Sequence, residues 1–361
     1  MERISYLFNT VQRSLFPALH EETGDLTDKE KQLALMLEVL DIEKHITRRH
    51  WLGRKPKYRK CIARAFVAKA FYNIPTTEAL ISRLKRDKVL RRLCGWEYAG
   101  QVPGEWGFSR AFAEFADSGF TDIVHESLVK ELVGSDVVWH VSRDATAIEA
   151  REKPAAKPVV EPKVKMKRGR PRKDENRPVP EKKRLEKQRE WSKAECLADL
   201  PTACDVGTKK NAKGYISSWT GYKFHVDVCD GGIPISAITT SATLHDSQVA
   251  IPLARMSVER VDSFYDLMDA AYDAEEIHQT SIEMGHVPII DSNPRRGDKV
   301  SMESDRARRY NGRSASERFN SDLKDNHGGL MVRVKGHKKV HSHLMFGLLV
   351  IFAKSIIGLV T

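Results

Sequence analysis

Residues 310–324 read YNGRSASERFNSDLK, and this stretch decides how the rest of the chain is interpreted. Its spacing is Y-x2-R-x3-E-x6-K, set by Tyr310, Arg313, Glu317 and Lys324. The pattern predicts a helix, on which the last three of these residues, separated by 4 and 7 positions, share one face. A carboxylate between two cations suits a site that binds a metal ion and a phosphate together. The alternative is an exposed helix with i,i+4 charge pairs.

Two aspartates upstream follow apolar, strand-like stretches. Val137–Val141 predicts a strand with Asp144 just past its end, and Ser263–Met268 predicts a strand followed at once by Asp269. The full order is strand, strand, strand, helix, strand, helix, strand, helix, which predicts an α/β sheet whose first and fourth strands each end in an aspartate. Aspartates at strand ends are often turn or capping residues, so this pair alone does not identify a site.

The three carboxylates Asp144, Asp269 and Glu317 would repel one another if they met at one edge of the sheet. Divalent cations relieve such repulsion, and Mg²⁺ prefers oxygen ligands. Two metal ions about 3.5–4 Å apart can bind one scissile phosphate, activate the attacking oxygen and stabilise the leaving one. The phosphate-loop spacing G-x4-G-K-[ST] does not occur, so no ATP site is expected.

The first 130 residues predict mainly helices, with basic side chains available to outward faces. These basic residues are Arg83, Lys85, Arg86, Arg91 and Arg92. A helical region rich in Arg and Lys suits a helix-turn-helix-like DNA reader. An ordinary helical bundle with a solvated charged face is the alternative.

The positive charge of the chain is concentrated in one segment. The 361 residues carry a net charge of +11, and residues 151–190 alone contribute +9, with 6 of the 15 prolines. A segment without apolar periodicity cannot offset its ordering entropy, so 147–204 is expected to be a basic, Pro-rich, largely disordered insertion. Its centre, KRGRPRK, places Arg168, Arg170 and Arg172 as in an AT-hook that follows the minor groove. A solubilising basic tether is the alternative, and in both cases nucleic acid is the leading partner class.

Composition excludes several classes of protein. Hydrophobic residues are 41% of the chain, which excludes a wholly disordered chain, a collagen-like repeat and a small disulfide-stapled module. The five cysteines contain no C-x2-C pair, so reduced thiols and a cytosolic location are expected. No signal peptide is expected at the N-terminus. The apolar stretch Leu344–Val360 contains Lys354 and is short for a membrane span, so a helix packed on the sheet is expected and no membrane partner.

With these motifs together, the chain resembles the insertion-sequence transposases of the DDE superfamily, in the branch marked by the Y-R-E-K signature. Residues 143–146 (RDAT) resemble the strand of the first aspartate. Residues 269–273 (DAAYD) resemble the second-aspartate motif, commonly D-x-G-Y-D, with Ala271 in place of the usual glycine. Residues 221–225 (GYKFH) and 244–246 (LHD) resemble the second strand and the start of the helix after the third.

The resemblance implies a ribonuclease-H-like mixed sheet with flanking helices, preceded by an all-helical N-terminal domain. Residues 1–130 would be the DNA-end-binding domain, 136–146 with 205–361 the catalytic domain, and 147–204 the insertion. Asp144, Asp269 and Glu317 would be the catalytic residues and the ligands of two Mg²⁺ ions, with Mn²⁺ as a substitute.

The resemblance also implies DNA contacts and partners. Arg313 and Lys324 would contact backbone phosphate near the transposon end, and Tyr310 would stack on a displaced base, worth about 1–3 kcal/mol. His225 and His245 could orient the substrate, although a structural role is the alternative. The implied partners are double-stranded DNA of the transposon ends and target, bound by a homodimer on paired ends, in the cytoplasm at the nucleoid of a bacterial or archaeal host.

The implied activity is cleavage at terminal inverted repeats and joining of the 3′-hydroxyl ends to target DNA. A transposase-derived DNA-binding protein that no longer cuts, and a nuclease of the same fold, are the alternatives.

Overall fold

The computed structural model describes residues 6, 10–46, 57–135, 137–156, 181–210, 213–294 and 301–359. The AT-hook-like segment with Arg168, Arg170 and Arg172 lies outside these ranges. In the N-terminal part the described helices are α1 (Phe16–Thr23), α2 (Asp28–Leu40), α3 (Arg59–Phe71), α4 (Thr77–Arg86), α5 (Lys88–Leu93), α6 (Glu105–Asp117) and α7 (Phe120–Leu132).

Seven described strands form one mixed sheet in the order β2-β3-β1-β5-β6, with β4 also paired to β3 and β7 to β1. Strand β3 is antiparallel to β1, β2 and β4, whereas β5 and β7 run parallel to β1 and β6 runs parallel to β5. The strands are β1 (Val138–Ala150), β2 (Asp205–Lys210), β3 (Ile216–Cys229), β4 (Ile233–Ser241), β5 (Ser263–Met268), β6 (Val287–Ile290) and β7 (Met331–Val332). The helices of this part are α8 (Arg184–Glu190), α9 (Lys193–Ala198), α10 (Ala250–Val258), α11 (Glu275–Glu283), α12 (Ser304–Tyr310), α13 (Ser314–Asn326) and α14 (His337–Gly358). The prediction of a ribonuclease-H-like α/β sheet preceded by helices is confirmed.

The C-terminal helix α14 lies at the centre of the hydrophobic core. It contacts β4 of the sheet and four N-terminal helices, α2, α3, α6 and α7. Phe66 of α3 packs against Phe346 of α14, with ring centroids 5.5 Å apart, and the same cluster of buried side chains includes Val141 and Ile235 of the sheet. The N-terminal helices and the sheet therefore share one core, although they are separate in sequence.

Helix α14 is also the one described helix that is long and apolar enough to cross a membrane. Of its most apolar window, 72% is buried inside the protein. Burial on all sides explains why it lacks an amphipathic pattern, since a helix covered by protein all round needs no polar face.

Strand β1 is longer than the sequence predicted. It runs to Ala150, so Asp144 lies inside the strand, and the prediction that Asp144 follows the strand end was wrong. Pairing with β3 holds β1 extended as far as Glu149, whereas pairing with β5 ends at Ser142. Asp144 therefore lies just beyond the part of β1 that pairs with β5.

The described ends of the predicted insertion, 147–204, are folded. Strand β1 occupies residues up to Ala150, and α8 and α9 fall within the range expected to lack structure. Leu185 of α8 packs with Tyr272, and the Gln188 amide donates to the carbonyl of Gln248 at 2.9 Å. Apolar and hydrogen-bonding contacts with the catalytic part offset the ordering entropy at these positions, so the predicted disorder was too extensive there.

Acid is expected to destabilise the fold, because two buried histidines have lowered pKa values. Burial and the Arg260 charge lower the pKa of His125 to about 3, and burial and the Lys69 charge lower the pKa of His343 to about 4. Below pH ~6.5 the unfolded chain binds protons on these histidines that the folded chain does not bind. The free energy of unfolding is therefore undiminished above that pH and decreases toward pH 4, by about 1.4 kcal/mol per pH unit for each group.

We therefore expect the urea midpoint of unfolding to fall between pH 7 and pH 5. His343→Gln, which can still donate to the Gly328 carbonyl that His343 contacts at 3.0 Å, should reduce this dependence. Midpoints that are equal at both pH values would contradict the prediction.

Candidate active site

The sheet brings Asp144 and Asp269 to the same level at one edge. Ser142 of β1 pairs in parallel with Leu267 of β5, and two further residues along each strand lead to Asp144 and Asp269. Asp269 comes directly after β5, and its Oδ1 accepts a hydrogen bond from the Ala271 N–H at 2.9 Å. The carboxyl ends of neighbouring parallel strands are a common place for ligand sites in α/β proteins.

Asp144 is mostly buried and is held from helix α13. The Asn320 amide Nδ2 donates to Asp144 Oδ2 at 3.1 Å. Burial is the main cause that raises the pKa of Asp144 to about 6, and the charges of Asp269 and Asp246 raise it further, while the Ala145 N–H and the Arg313 guanidinium lower it. Asp144 therefore lies in the electric field of two further carboxylates, those of Asp269 and Asp246.

Glu317 is turned away from this pair. Its side chain is 54% exposed, and its Oε1 accepts from the guanidinium of Arg313, one helical turn earlier. Burial lowers the pKa of Arg313, but the charges of Tyr310, Glu317 and Asp144 raise it above its ordinary value. The i,i+4 charge pair that was the alternative reading of this helix is thus present, but beside Asp144 rather than on a remote surface.

The start of α13 is fixed directly to β1. Ser142 Oγ donates to the Arg313 carbonyl at 2.9 Å and lies 2.7 Å from Ser316 Oγ. Gly312 faces Leu267, where a Cβ would lie 3.1 Å from the leucine Cδ1. Arg313 itself ends a 3-10 turn ahead of the helix. These contacts set the position of Glu317 and Asn320 relative to Asp144.

Tyr310 and Lys324 flank the same edge. Burial raises the pKa of Tyr310, as do the charges of Asp291 and Asp269, while the Arg313 charge lowers it. Burial and the Lys209 charge lower the pKa of Lys324, while carboxylates that include Asp144 oppose this effect. The charge effects thus link Tyr310, Arg313 and Lys324 to the two aspartates, whereas Glu317 is engaged by Arg313.

Two buried oxygens beside the aspartates have no hydrogen-bond partner within the described ranges, Tyr272 Oη and Asn320 Oδ1. Burial raises the pKa of the Tyr272 hydroxyl, and the charges of Asp246, Asp144 and Asp269 add to this effect. Such unsatisfied oxygens are rare in native interiors and call for a further partner.

The residues present fit a hard divalent cation. Within the described part of the chain no three His, Cys, Asp or Glu side chains lie together as a metal cluster, and Glu317 is paired with Arg313. Asp144 and Asp269 nevertheless supply carboxylate oxygens at one edge, and the unpartnered Oδ1 of Asn320 could accept from a metal-bound water. Oxygen donors of this kind are those that Mg²⁺ prefers.

Sequence reasoning missed Asn320 and Tyr272 as parts of this site. Asn320 lies three positions after Glu317, so helical periodicity places both on one face and could have identified it. Tyr272 lies in the second-aspartate motif, but its burial depends on the packing of α8, which no local pattern indicates. His225 is buried, with Nε2 2.9 Å from Thr240 Oγ1, and His245 bonds Ser247 at the start of the helix after β4.

Comparison with known protein families agrees with this geometry. The family model described as a transposase DDE domain matches residues 144–353, which is more than half of the chain. The chain belongs to the DDE transposase family. A second family model, described as a transposase domain (DUF772), matches residues 21–114 of this transposase. No match was found among curated proteins or among solved structures.

The family membership establishes what is common to such enzymes. As a transposase the protein acts on DNA, and DDE transposases generally use divalent metal ions. The match to the DDE domain begins at Asp144 and includes Asp269, Glu317 and Lys324.

Proposed function

We propose that the protein cuts DNA at the terminal inverted repeats of an insertion sequence and joins the freed 3′-hydroxyl ends to target DNA, in the branch marked by the Y-R-E-K signature. The observation that supports this most is the placement of Asp144 and Asp269 at one level on neighbouring parallel strands, with α13 fixed against them. Water would attack the scissile phosphate and release a 3′-hydroxyl, which then attacks a target phosphate and releases another 3′-hydroxyl. No net energy source is needed, because each joining step exchanges equivalent phosphodiester bonds.

Asp144, Asp269 and Glu317 would hold two Mg²⁺ ions, or Mn²⁺ as a substitute. Bound there, divalent ions lower the pKa of the attacking oxygen and stabilise charge on the leaving oxygen. Asn320 would orient Asp144 through its amide, and Arg313, once Glu317 turns toward the aspartates, would be free to contact phosphate. Lys324 would contact phosphate farther along the strand, and Tyr310 would stack on a displaced base.

The N-terminal helices would supply a second DNA surface. Of the basic residues predicted to face outward, four are engaged within the protein: Arg83 by Asp87, Arg86 by Ser82, Arg91 by backbone carbonyls and Arg92 by Glu22. Near the start of α6, by contrast, Trp106 is 67% exposed and stacks on the Arg110 guanidinium at 3.5 Å.

Trp106 and Arg110 line a cleft of about 1060 Å³ that also contains Lys57 and Arg59, the latter paired with Glu114. An aromatic platform with cations suits nucleic acid. We place the recognition of the element end here, with the basic insertion as an additional non-specific contact and two protomers pairing two ends.

A supercoiled plasmid that carries the DNA flanking the gene tests the proposal. Incubation with the full-length protein and Mg²⁺ or Mn²⁺ should give cleavage confined to the terminal repeats, with 3′-hydroxyl ends that can be extended by a polymerase. Products joined to a second plasmid would establish strand transfer.

Each alternative has its own outcome. Specific binding without cleavage would support a DNA-binding protein that no longer cuts. Cleavage without joined products, under conditions in which cut ends persist, would support a nuclease of the same fold.

A further inference from the structure

Strand β2 and the first half of β3 form a two-stranded arm, defined here as residues 205–210 and 213–220. Along the chain, β3 first pairs with β1 at Gly221 and first pairs with β4 at Tyr222. The preceding residues, Ile216–Thr220, therefore pair with β2 alone. With about 3.4 Å per residue, these five residues extend the arm by about 17 Å from the sheet.

The arm projects from the edge of the sheet that carries the catalytic aspartates. Strand β3 is antiparallel to β1, so its beginning lies at the carboxyl end of β1, beyond Asp144 and Glu149. Burial lowers the pKa of Lys324 of α13, and the charge of Lys209 on the arm lowers it further, which indicates that the arm lies near this helix. The arm therefore continues the line of positive charge that begins at the Y-R-E-K helix.

The arm is basic and exposed. Residues 206–220 contain three lysines and no Asp or Glu. Lys209, Lys210 and Lys213 are all exposed, and none has a carboxylate partner within the part of the chain that the structure describes. Tyr215 and Ile216 beside them are 71% and 72% exposed. A two-stranded ribbon of this kind is rarely stable unless something fixes its base.

Two glycines fix the base of the arm. At Gly221, φ is +153°, and a Cβ would lie 2.1 Å from the Ile148 carbonyl oxygen, so β1 and β3 meet there more closely than a side chain allows. At Gly207, a Cβ would lie 2.5 Å from the ring of Trp219, whose Nε1 donates to the Tyr222 carbonyl at 3.2 Å. The Trp219 ring thus lies against β2 at the base of the arm.

We propose that this arm grips the backbone of duplex DNA next to the scissile phosphate, and that Lys209, Lys210 and Lys213 are its phosphate contacts. The inference rests on the proposed function, because it takes the substrate of the site as duplex DNA. Successive phosphates of one B-DNA strand are about 3.4 Å apart along the axis, so an arm of about 17 Å spans about five of them. Lysines contact phosphate as point charges, so the arm binds without regard to sequence.

The test compares two full-length triple variants of equal net charge. Lys209→Gln/Lys210→Gln/Lys213→Gln removes the arm lysines. The control, Lys130→Gln/Lys193→Gln/Lys354→Gln, removes three lysines away from the arm. Their carboxylate partners are Glu126, Glu259 and Asp322, in that order. Thermal unfolding checks that both variants fold, as expected for surface changes.

The primary measurement is the affinity for a duplex of the terminal repeat as a function of KCl, read by fluorescence anisotropy. Loss of three phosphate contacts should lower the slope of log K against log salt by up to about 2.7 and weaken binding at least roughly tenfold near physiological salt. The control variant should match the unmodified protein in both. Trimming the duplex by about five base pairs next to the cut should weaken binding by the unmodified protein but not binding by the arm variant.

Other outcomes separate this inference from the proposed function. Equal salt slopes for arm and control variants, in a protein that cuts its ends, would overturn the arm while leaving the function intact. Loss of self-association in the arm variant at unchanged DNA affinity, seen by sedimentation, would also overturn it in favour of a second protomer as the partner. If the unmodified protein binds but does not cut, the salt slopes still decide whether the arm holds DNA.

Discussion

Asp269→Asn is expected to abolish cleavage at the element ends while leaving the protein folded. Asparagine has the same shape, and its Oδ1 can still accept the hydrogen bond from the Ala271 N–H. It lacks the charge that a divalent cation requires from this position. Removing a charged group that acts on the reacting phosphate should lower the cleavage rate by at least ~10³-fold. Glu317→Gln should have the same effect, because the proposed site needs a third carboxylate beside Asp144 and Asp269.

Asn320→Ala should give a smaller loss, which makes it a test of the geometry. The Asn320 amide orients Asp144 but carries no charge, and removing such a supporting contact typically costs about 10–100-fold in activity. Asn326→Ala is the matched control on the same helix, since Asn326 is exposed and bonds Asp322. It should cut at the unmodified rate.

Single-turnover cleavage of the plasmid substrate measures all four variants, with terminal-repeat binding as a second readout. Binding should persist in each, because the proposed recognition surface lies on the N-terminal helices. Cleavage that survives Asp269→Asn and Glu317→Gln would refute the assignment of the site. A loss in Asn326→Ala as large as that in Asn320→Ala would refute the role of the Asn320 contact.

Much of the catalytic fold could be predicted because its determinants are local. Alternating apolar residues identify β3 and β4, and an apolar run ending in Asp269 identifies β5. The Y-R-E-K spacing identifies one helical face without any knowledge of tertiary structure. Two carboxylates and the helix that faces them could therefore be named from the sequence.

What could not be predicted depends on pairing between distant elements. Strand β1 loses its parallel neighbour β5 just before Asp144 while β3 stays paired along its other side, and nothing in the local sequence marks where a neighbouring strand ends. The orientation of Glu317 depends on competition between Arg313 and the aspartates, which the sequence cannot rank. The arm was hidden because residues 205–220 lie next to a long basic segment and, being exposed on both faces, show no apolar alternation.

Asp227→Ala is expected to destabilise the protein more than any surface change. The Asp227 carboxylate accepts from Arg143 Nε at 2.8 Å and Nη2 at 2.7 Å, and from Ser257 Oγ at 2.6 Å. The Arg143 and Asp227 side chains are only 2% and 0% exposed. Removing one partner of a buried pair leaves the other charge uncompensated, which costs about 3–5 kcal/mol.

Urea unfolding followed by circular dichroism measures this effect. Asp199→Ala is the control, because Asp199 also pairs with an arginine, Arg184, but both side chains are about one-third exposed, and an exposed pair contributes at most about 1 kcal/mol. The double variant Arg143→Met/Asp227→Leu removes both charges and should recover most of the loss. That recovery would show that the cost lies in an unpaired charge rather than in lost packing.

The same pair bears on the active site through the geometry of β1. Arg143 and Asp144 are adjacent, so their side chains lie on opposite faces of the strand, and the Arg143–Asp227 pair fixes the register that presents Asp144 to Asn320. The double variant should regain stability but cut more slowly than the unmodified protein, because leucine and methionine do not fix that register. A double variant with full activity would show that β1 is positioned by backbone pairing alone.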